Sequence, residues 1–181
     1  MSYRSLHPND REMHQLRQLI PSHLPFDTLS VILNGIAVLG AIAFLLFLWL
    51  GWSTIEETVP LHINFWGQID RWGNKNELIP IIILMWVVSV LIFIVQFFPR
   101  LWSIPYRFDE ATVLTMLMIN RRLLAFIHCF CIIELDLMVL PCLYGGEIVI
   151  AAAKIEIIMI FFAVGGVTYY WRLMKKIARQ S

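Results

Sequence analysis

Charge is what this sequence has least of. Lys, Arg, Asp and Glu supply only 15% of its 181 residues, where a soluble domain carries about 25%. The 14 basic residues nearly balance the 13 acidic ones, leaving a net charge of +1. The basic residues are scattered rather than striped, so nothing favours a nucleic-acid partner. Cysteine is scarce as well. Cys129, Cys131 and Cys142 are the only three, and Cys129 and Cys131 stand too close along one apolar run for an ordinary helical disulfide. No disulfide framework is implied. A nucleotide-binding glycine loop is missing, which excludes a primary pump acting on its own. HExxH, paired-cysteine and serine–histidine–acid patterns are missing too, which counts against a membrane-embedded enzyme. There is no internal repeat, no heptad pattern and no low-complexity segment.

Apolar residues take the space that charge leaves. They form 59% of the chain, against about 45–50% in soluble domains. A hydrocarbon core of roughly 30 Å needs about 20 mostly apolar helical residues to cross it. Four runs qualify: Leu29–Trp52, Leu78–Phe98, about Leu123–Tyr144 and about Ile148–Trp171. The first starts too far into the chain for a cleaved secretory signal, so it is expected to stay as an anchor. Four such runs in one small chain leave little else to bury them, which predicts an all-α integral membrane protein with four transmembrane helices.

Orientation follows from arginine and lysine in short flanks. Arg4, Arg11 and Arg17 precede the first span; Arg100, Arg107, Arg121 and Arg122 lie between the second and third; Arg172, Lys175, Lys176 and Arg179 follow the fourth. The other side has Arg71 and Lys75, plus Lys154 within the last run. Both termini are therefore expected in the cytoplasm, in a multi-pass protein of the cell membrane. Three sections follow. Residues 1–28 form a cytoplasmic segment in which "HPNDREMHQLRQLI" predicts a short interfacial helix. Residues 29–112 form a two-span unit with an outward loop over 53–77. Residues 113–181 hold a helix from "FDEATVLTMLMINRRLL", capped by Asp109, then a two-span hairpin and a basic tail. That helix either runs along the surface or joins the third span directly.

The outward loop contains "VPLHINFWGQIDRWGNK", far more polar than its flanks. Trp66 and Trp72 suit the membrane interface, and "WGNK" reads as a tight turn. An interfacial connector explains the tryptophans and glycines but not His62, Asn64, Asp70 and Lys75. One alternative is a divalent metal held by His62 and Asp70, with Asn64, Glu56 or Glu57 assisting, although zinc needs three or four ligands. The preferred alternative is a self-bonded polar platform without a cofactor. In it Asp70 pairs with Lys75 or Arg71 to hold the shape, and His62 and Asn64 face a ligand.

The residues Pro60, His62, Asn64, Gly67, Asp70, Gly73 and Lys75 present the pattern P-x-H-x-N-x-x-G-x-x-D-x-x-G-x-K. This closely resembles the signature of the SdpI-like bacterial membrane proteins. That group includes sporulation-delaying-protein immunity factors and relatives known only as a domain of unknown function. The resemblance covers about Leu29–Thr112. It implies a bacterial inner-membrane protein with the motif between its first and second spans, and an immunity-like role.

The last two runs enclose His128, Glu134 and Asp136, then Lys154 and Glu156. A charge at the bilayer centre costs at least about 2.5–3.5 kcal/mol on insertion scales, so each such residue raises a functional question. If the hairpin turns near Gly145–Gly146, Asp136 and Lys154 share a depth of roughly 12 Å. They are expected either to form a structural ion pair or, with Glu134 and Glu156, to line an ion, proton or ligand pathway open to the outside. His128 reads as a lone packed histidine, and Cys129 and Cys131 as small packing residues. Besides the lipid bilayer, the expected partner is a peptide, toxin or envelope ligand at the loop. The second expectation is a small ion- or proton-coupled transporter, and the third a metal-dependent membrane enzyme.

Overall fold

The computed structural model describes residues 18–64, 66, 68–102, 104, 106, 108–144 and 147–179. Most of the expected amino-terminal interfacial helix, the motif residue Gly67 and the Gly145–Gly146 turn lie outside them.

Helix α1 spans Thr28–Gly51. It starts where Asp27, in extended backbone, turns its carboxylate onto the Leu29 and Ser30 amides, satisfying donors that a first helical turn leaves open. Strands β1, Thr58–Ile63, and β2, Ile69–Asn74, pair antiparallel. A short 3-10 turn, Lys75–Leu78, leads into α2, Ile79–Val95, which carries a proline in its first turn; there the missing N–H costs nothing. Helix α3 covers Val113–Tyr144 and α4 covers Glu147–Ala178. The helical membrane architecture expected from the apolar runs is therefore present, with one small sheet added.

All four helices are long and apolar enough to cross a membrane, over Thr28–Thr54, Lys75–Val95, Val113–Leu140 and Lys154–Ala178. Their exposed faces agree. Leu39, Ile158 and Phe161 are 69%, 66% and 74% exposed, an arrangement that water penalises over any large contiguous area. At about 1.5 Å per residue, α3 and α4 each run roughly 48 Å, well beyond a 30 Å core. The segment before the third span is thus no separate surface helix. It is the first part of α3.

Helix α3 is the hub, packing against α1, α2 and α4. Midway, Ala37 and Ala41 of α1 meet Cys129 and Ile132 of α3, small side chains that let two backbones approach. At one end Val59 of β1 and Leu78 sit with Leu135, Val139 and Leu143 of α3, so the hairpin is seated on that helix. At the other end the connector folds back. Trp102, Ile104, Tyr106 and Phe108 close over Val113, Met116 and Leu117 of α3 and Met174 of α4.

Candidate functional site

The β-hairpin explains most of the motif by architecture. Asn64 organises its tip: Oδ1 accepts the Trp66 and Gln68 amides at 3.0 and 2.9 Å, and Nδ2 donates to Gln68 Oε1 at 3.1 Å. The reversal therefore falls between Asn64 and Gln68, not at "WGNK". Trp72, Gly73 and Asn74 are strand residues, and Asn74 then caps the 3-10 turn in a reciprocal arrangement with Glu77. Gly73 sits in a close fit against two side-chain ends. A Cβ there would collide with the Leu61 side chain and stand 2.6 Å from Glu77 Oε1.

Lys75 is the most committed member. Only 5% exposed, its Nζ donates to the Trp52 and Ile55 carbonyls at 3.1 and 2.8 Å and pairs with Glu57 at 3.1 Å. A buried ammonium is tolerable only when so fully partnered. It ties the end of β2 to the chain leaving α1. Pro60 is buried opposite the exposed Trp72.

Two motif residues remain at the surface. His62 Nδ1 and Asp70 Oδ1 lie 2.5 Å apart, with side chains 64% and 44% exposed. The pairing of the strands shifts between Pro60 and His62 and again between His62 and Ile63. These bulges re-aim the side chains and bring His62 beside Asp70. The expected Asp70 pairs with Arg71 or Lys75 are replaced: Arg71 bonds Glu77 at 2.6 Å and Lys75 bonds Glu57. Neighbours on a strand point to opposite faces, which separates Asp70 from Arg71. Asn64 holds the loop instead of facing outward, and Asp70 exchanges roles with it. As a metal centre the pair is short of ligands. Among the described residues no three His, Cys, Asp or Glu side chains are placed to hold an ion, and Glu57 is already engaged by Lys75 and Asn74.

The membrane-level charges do not gather into one pocket. Asp136 faces α1, its Oδ2 being 3.8 Å from where a Gly40 Cβ would stand. Gly40 is near the middle of α1, so Asp136 lies deeper than the expected 12 Å. Glu134, two residues back along α3, points about 200° away and lies within electrostatic reach of Glu156 on α4. Lys154 is exposed and, among the described residues, makes no ion pair with Asp136. Glu134 Oε1 and Asp136 Oδ1 are buried without a hydrogen-bond partner.

A third polar group escaped the sequence reading. Asn34 Nδ2 donates to Gln96 Oε1 at 2.8 Å and Gln96 Nε2 returns a bond to Asn34 Oδ1 at 3.1 Å. Asn34 Oδ1 also meets His128 Nδ1 at 2.8 Å. Arg121, 1% exposed, donates to the carbonyls of Leu24 at 2.6 Å and Gln96 at 3.1 Å. Its guanidinium lies 4.1 Å from the Phe26 ring centroid and 5.4 Å from that of Trp102. A signal was present. Asn34 lies shortly after its apolar run begins and Gln96 shortly before the next ends, so antiparallel spans put both amides at one depth. His128 is thus a bonded member of a network, and Arg121 is more than an orienting charge.

No curated protein and no solved structure matches the chain. Residues 38–87, from the middle of α1 through the hairpin into α2, match the model of a domain of unknown function, DUF1648, which also occurs in SdpI-like membrane proteins.

Proposed function

We propose that the hairpin is an outward-facing recognition element, with both termini in the cytoplasm as the basic flanks indicate. Its ligand is a peptide, toxin or other envelope component at the membrane surface, in an immunity- or receptor-like role. One observation carries this reading. Asn64, Gly73 and Lys75 are consumed in building the hairpin, whereas the His62–Asp70 pair is built by it and left exposed. Exposed Trp66 and Trp72 belong to the same hairpin, offering apolar contact around a polar pair. Three of the hairpin's polar pairs join residues of the hairpin and its flanks, so its shape exists before any ligand arrives.

The test is a comparison of His62→Ala and Asp70→Asn with Asp136→Asn in cells that depend on the protein. Loss with the two hairpin variants at unchanged expression is the expected result. A second reading, ion or proton coupling, is favoured by the partner-free Asp136 oxygen near mid-span. Loss confined to Asp136→Asn would transfer the function there.

A further inference from the structure

The last turns of α4 carry Arg172, Lys175, Lys176 and Arg179, and no Asp or Glu occurs between Glu156 and Ser181. At about 100° per residue the four cations share under roughly a third of the helix's circumference. All four are exposed, and among the described residues none of them forms an ion pair. The opposite side of these turns is spent on packing. Met174 and Ala178 are buried in the core that the connector closes, and the Trp171 ring meets Tyr106 at 5.4 Å.

The basic side continues an apolar one. By the same angular count Ile158, Phe161 and Gly165 lie directly below the cations, and all three are exposed. The level of the change is set by packing. Gly166 lies against the Phe126 ring of α3. Phe126 is about 7 Å along α3 from the level where Cys129 and Ile132 meet Ala37 and Ala41 near the middle of α1. Half a hydrocarbon core is about 15 Å. The remaining distance of about 8 Å is roughly five residues of α4 and ends at Trp171. Arg172, Lys175 and Lys176 therefore fall in the layer of roughly 5–8 Å that headgroups occupy, and Arg179 reaches it from just beyond.

We propose that this side of α4 binds a net-anionic phospholipid, its headgroup held by the four cations and its acyl chains lying along Ile158, Phe161 and Gly165. A zwitterionic headgroup brings its own ammonium and leaves the cations uncompensated, whereas a net-negative one supplies the missing charge. A soluble phosphate would meet the cations but leave the apolar side below them unused. The turns that take the headgroup also press Met174 and Ala178 onto Trp102, Ile104 and Phe108. A bound lipid thus braces the basic end of the bundle, whatever the hairpin recognises.

The test titrates full-length protein in detergent with phosphatidylglycerol or phosphatidylcholine and counts bound lipid by native mass spectrometry. The first phosphatidylglycerol is expected to bind at least about tenfold more tightly, each cation contributing about fivefold. It should also raise the melting temperature, while phosphatidylcholine does not. Arg172→Gln with Lys176→Gln should weaken phosphatidylglycerol at least about tenfold, leaving phosphatidylcholine binding and the lipid-free melting temperature unchanged. The charge-keeping variant Arg172→Lys should retain the preference. Equal binding of the two lipids, or a preference kept after all four cations are changed to Gln, overturns the proposal. Stabilisation by millimolar glycerol phosphate equal to that by phosphatidylglycerol does so too, assigning the cations to a soluble anion.

Discussion

Asn34 and Gln96 clasp each other with two amide hydrogen bonds, 2.8 and 3.1 Å long, between the start of α1 and the end of α2. Both side chains are buried, Gln96 completely. The pair fixes how far one span slides past the other, because a one-residue shift leaves two amides unbonded in an apolar setting.

Removing one partner should therefore cost more than the bond is worth. Asn34→Leu and Gln96→Leu are each expected to destabilise by about 1–3 kcal/mol, the cost of an orphaned buried polar group. The double variant should lose less than the sum, by about 1 kcal/mol. Denaturant unfolding in detergent of the four proteins checks this. Additive losses would mean that the two amides do not act as a pair. His128 keeps part of the cost in the double variant, since its Nδ1 loses Asn34.

Within the hairpin, architecture and recognition should separate by mutation. Lys75→Met keeps length but leaves the Trp52 and Ile55 carbonyls without their ammonium donor and removes the cation beside Glu57. It is expected to lower the melting temperature and loosen the hairpin. His62→Ala should leave the melting temperature within experimental error, since its side chain is mostly solvent-facing and an exposed pair contributes little. Amide hydrogen exchange over residues 58–74 distinguishes the two classes.

Acid should act on the opposite end. Burial alone would raise the Asp27 carboxyl, but hydrogen bonds from Ser30 and Arg122 outweigh it and hold the group below its ordinary 3.8. A carboxylate depressed in the folded state contributes stability above its unfolded pKa, and that contribution disappears as pH falls through the folded value. Arg122→Gln should then lower the melting temperature at pH 7. The difference should shrink below about pH 4, where Asp27 protonates in both proteins. A deficit unchanged down to pH 2 would show that Arg122 acts without Asp27.

Orientation has its own check. In a cysteine-free background, Gln68→Cys at the hairpin tip should react with an impermeant thiol reagent on intact cells, and Gln180→Cys should react only after the membrane is opened. Labelling of both from outside would overturn the four-span topology.

The four spans were legible because long apolar runs have few alternatives in a chain this poor in charge. Their ends were less so. Apolar count alone could not show that α3 begins at Val113, because its first turns are buried by Trp102 and Phe108 of the connector and not by lipid. The hairpin was hidden for a related reason: "WGNK" carries turn residues, yet Gly73 lies inside a strand. The importance of Lys75 was readable, but its partners were not. They are backbone carbonyls and Glu57, which no spacing rule selects. Depth arithmetic paired Asp136 with Lys154 but says nothing about which side of a helix a residue takes: Asp136 faces Gly40 of α1, whereas Lys154 is exposed on α4.

The hub position of α3 also sets a problem of timing. Asn34 and Gln96 come before His128 and Arg121 in the chain, so their amides are made before two of their partners. The Leu24 and Gln96 carbonyls wait for a guanidinium that arrives only with the third span. Until then the first pair of spans is an unfinished assembly whose polar atoms need a temporary host, whether lipid headgroups, water or the insertion machinery. The DUF1648 segment, 38–87, contains neither amide of the clasp and no part of α3. Transplanted between other spans, it would carry the hairpin without the floor on which the hairpin stands.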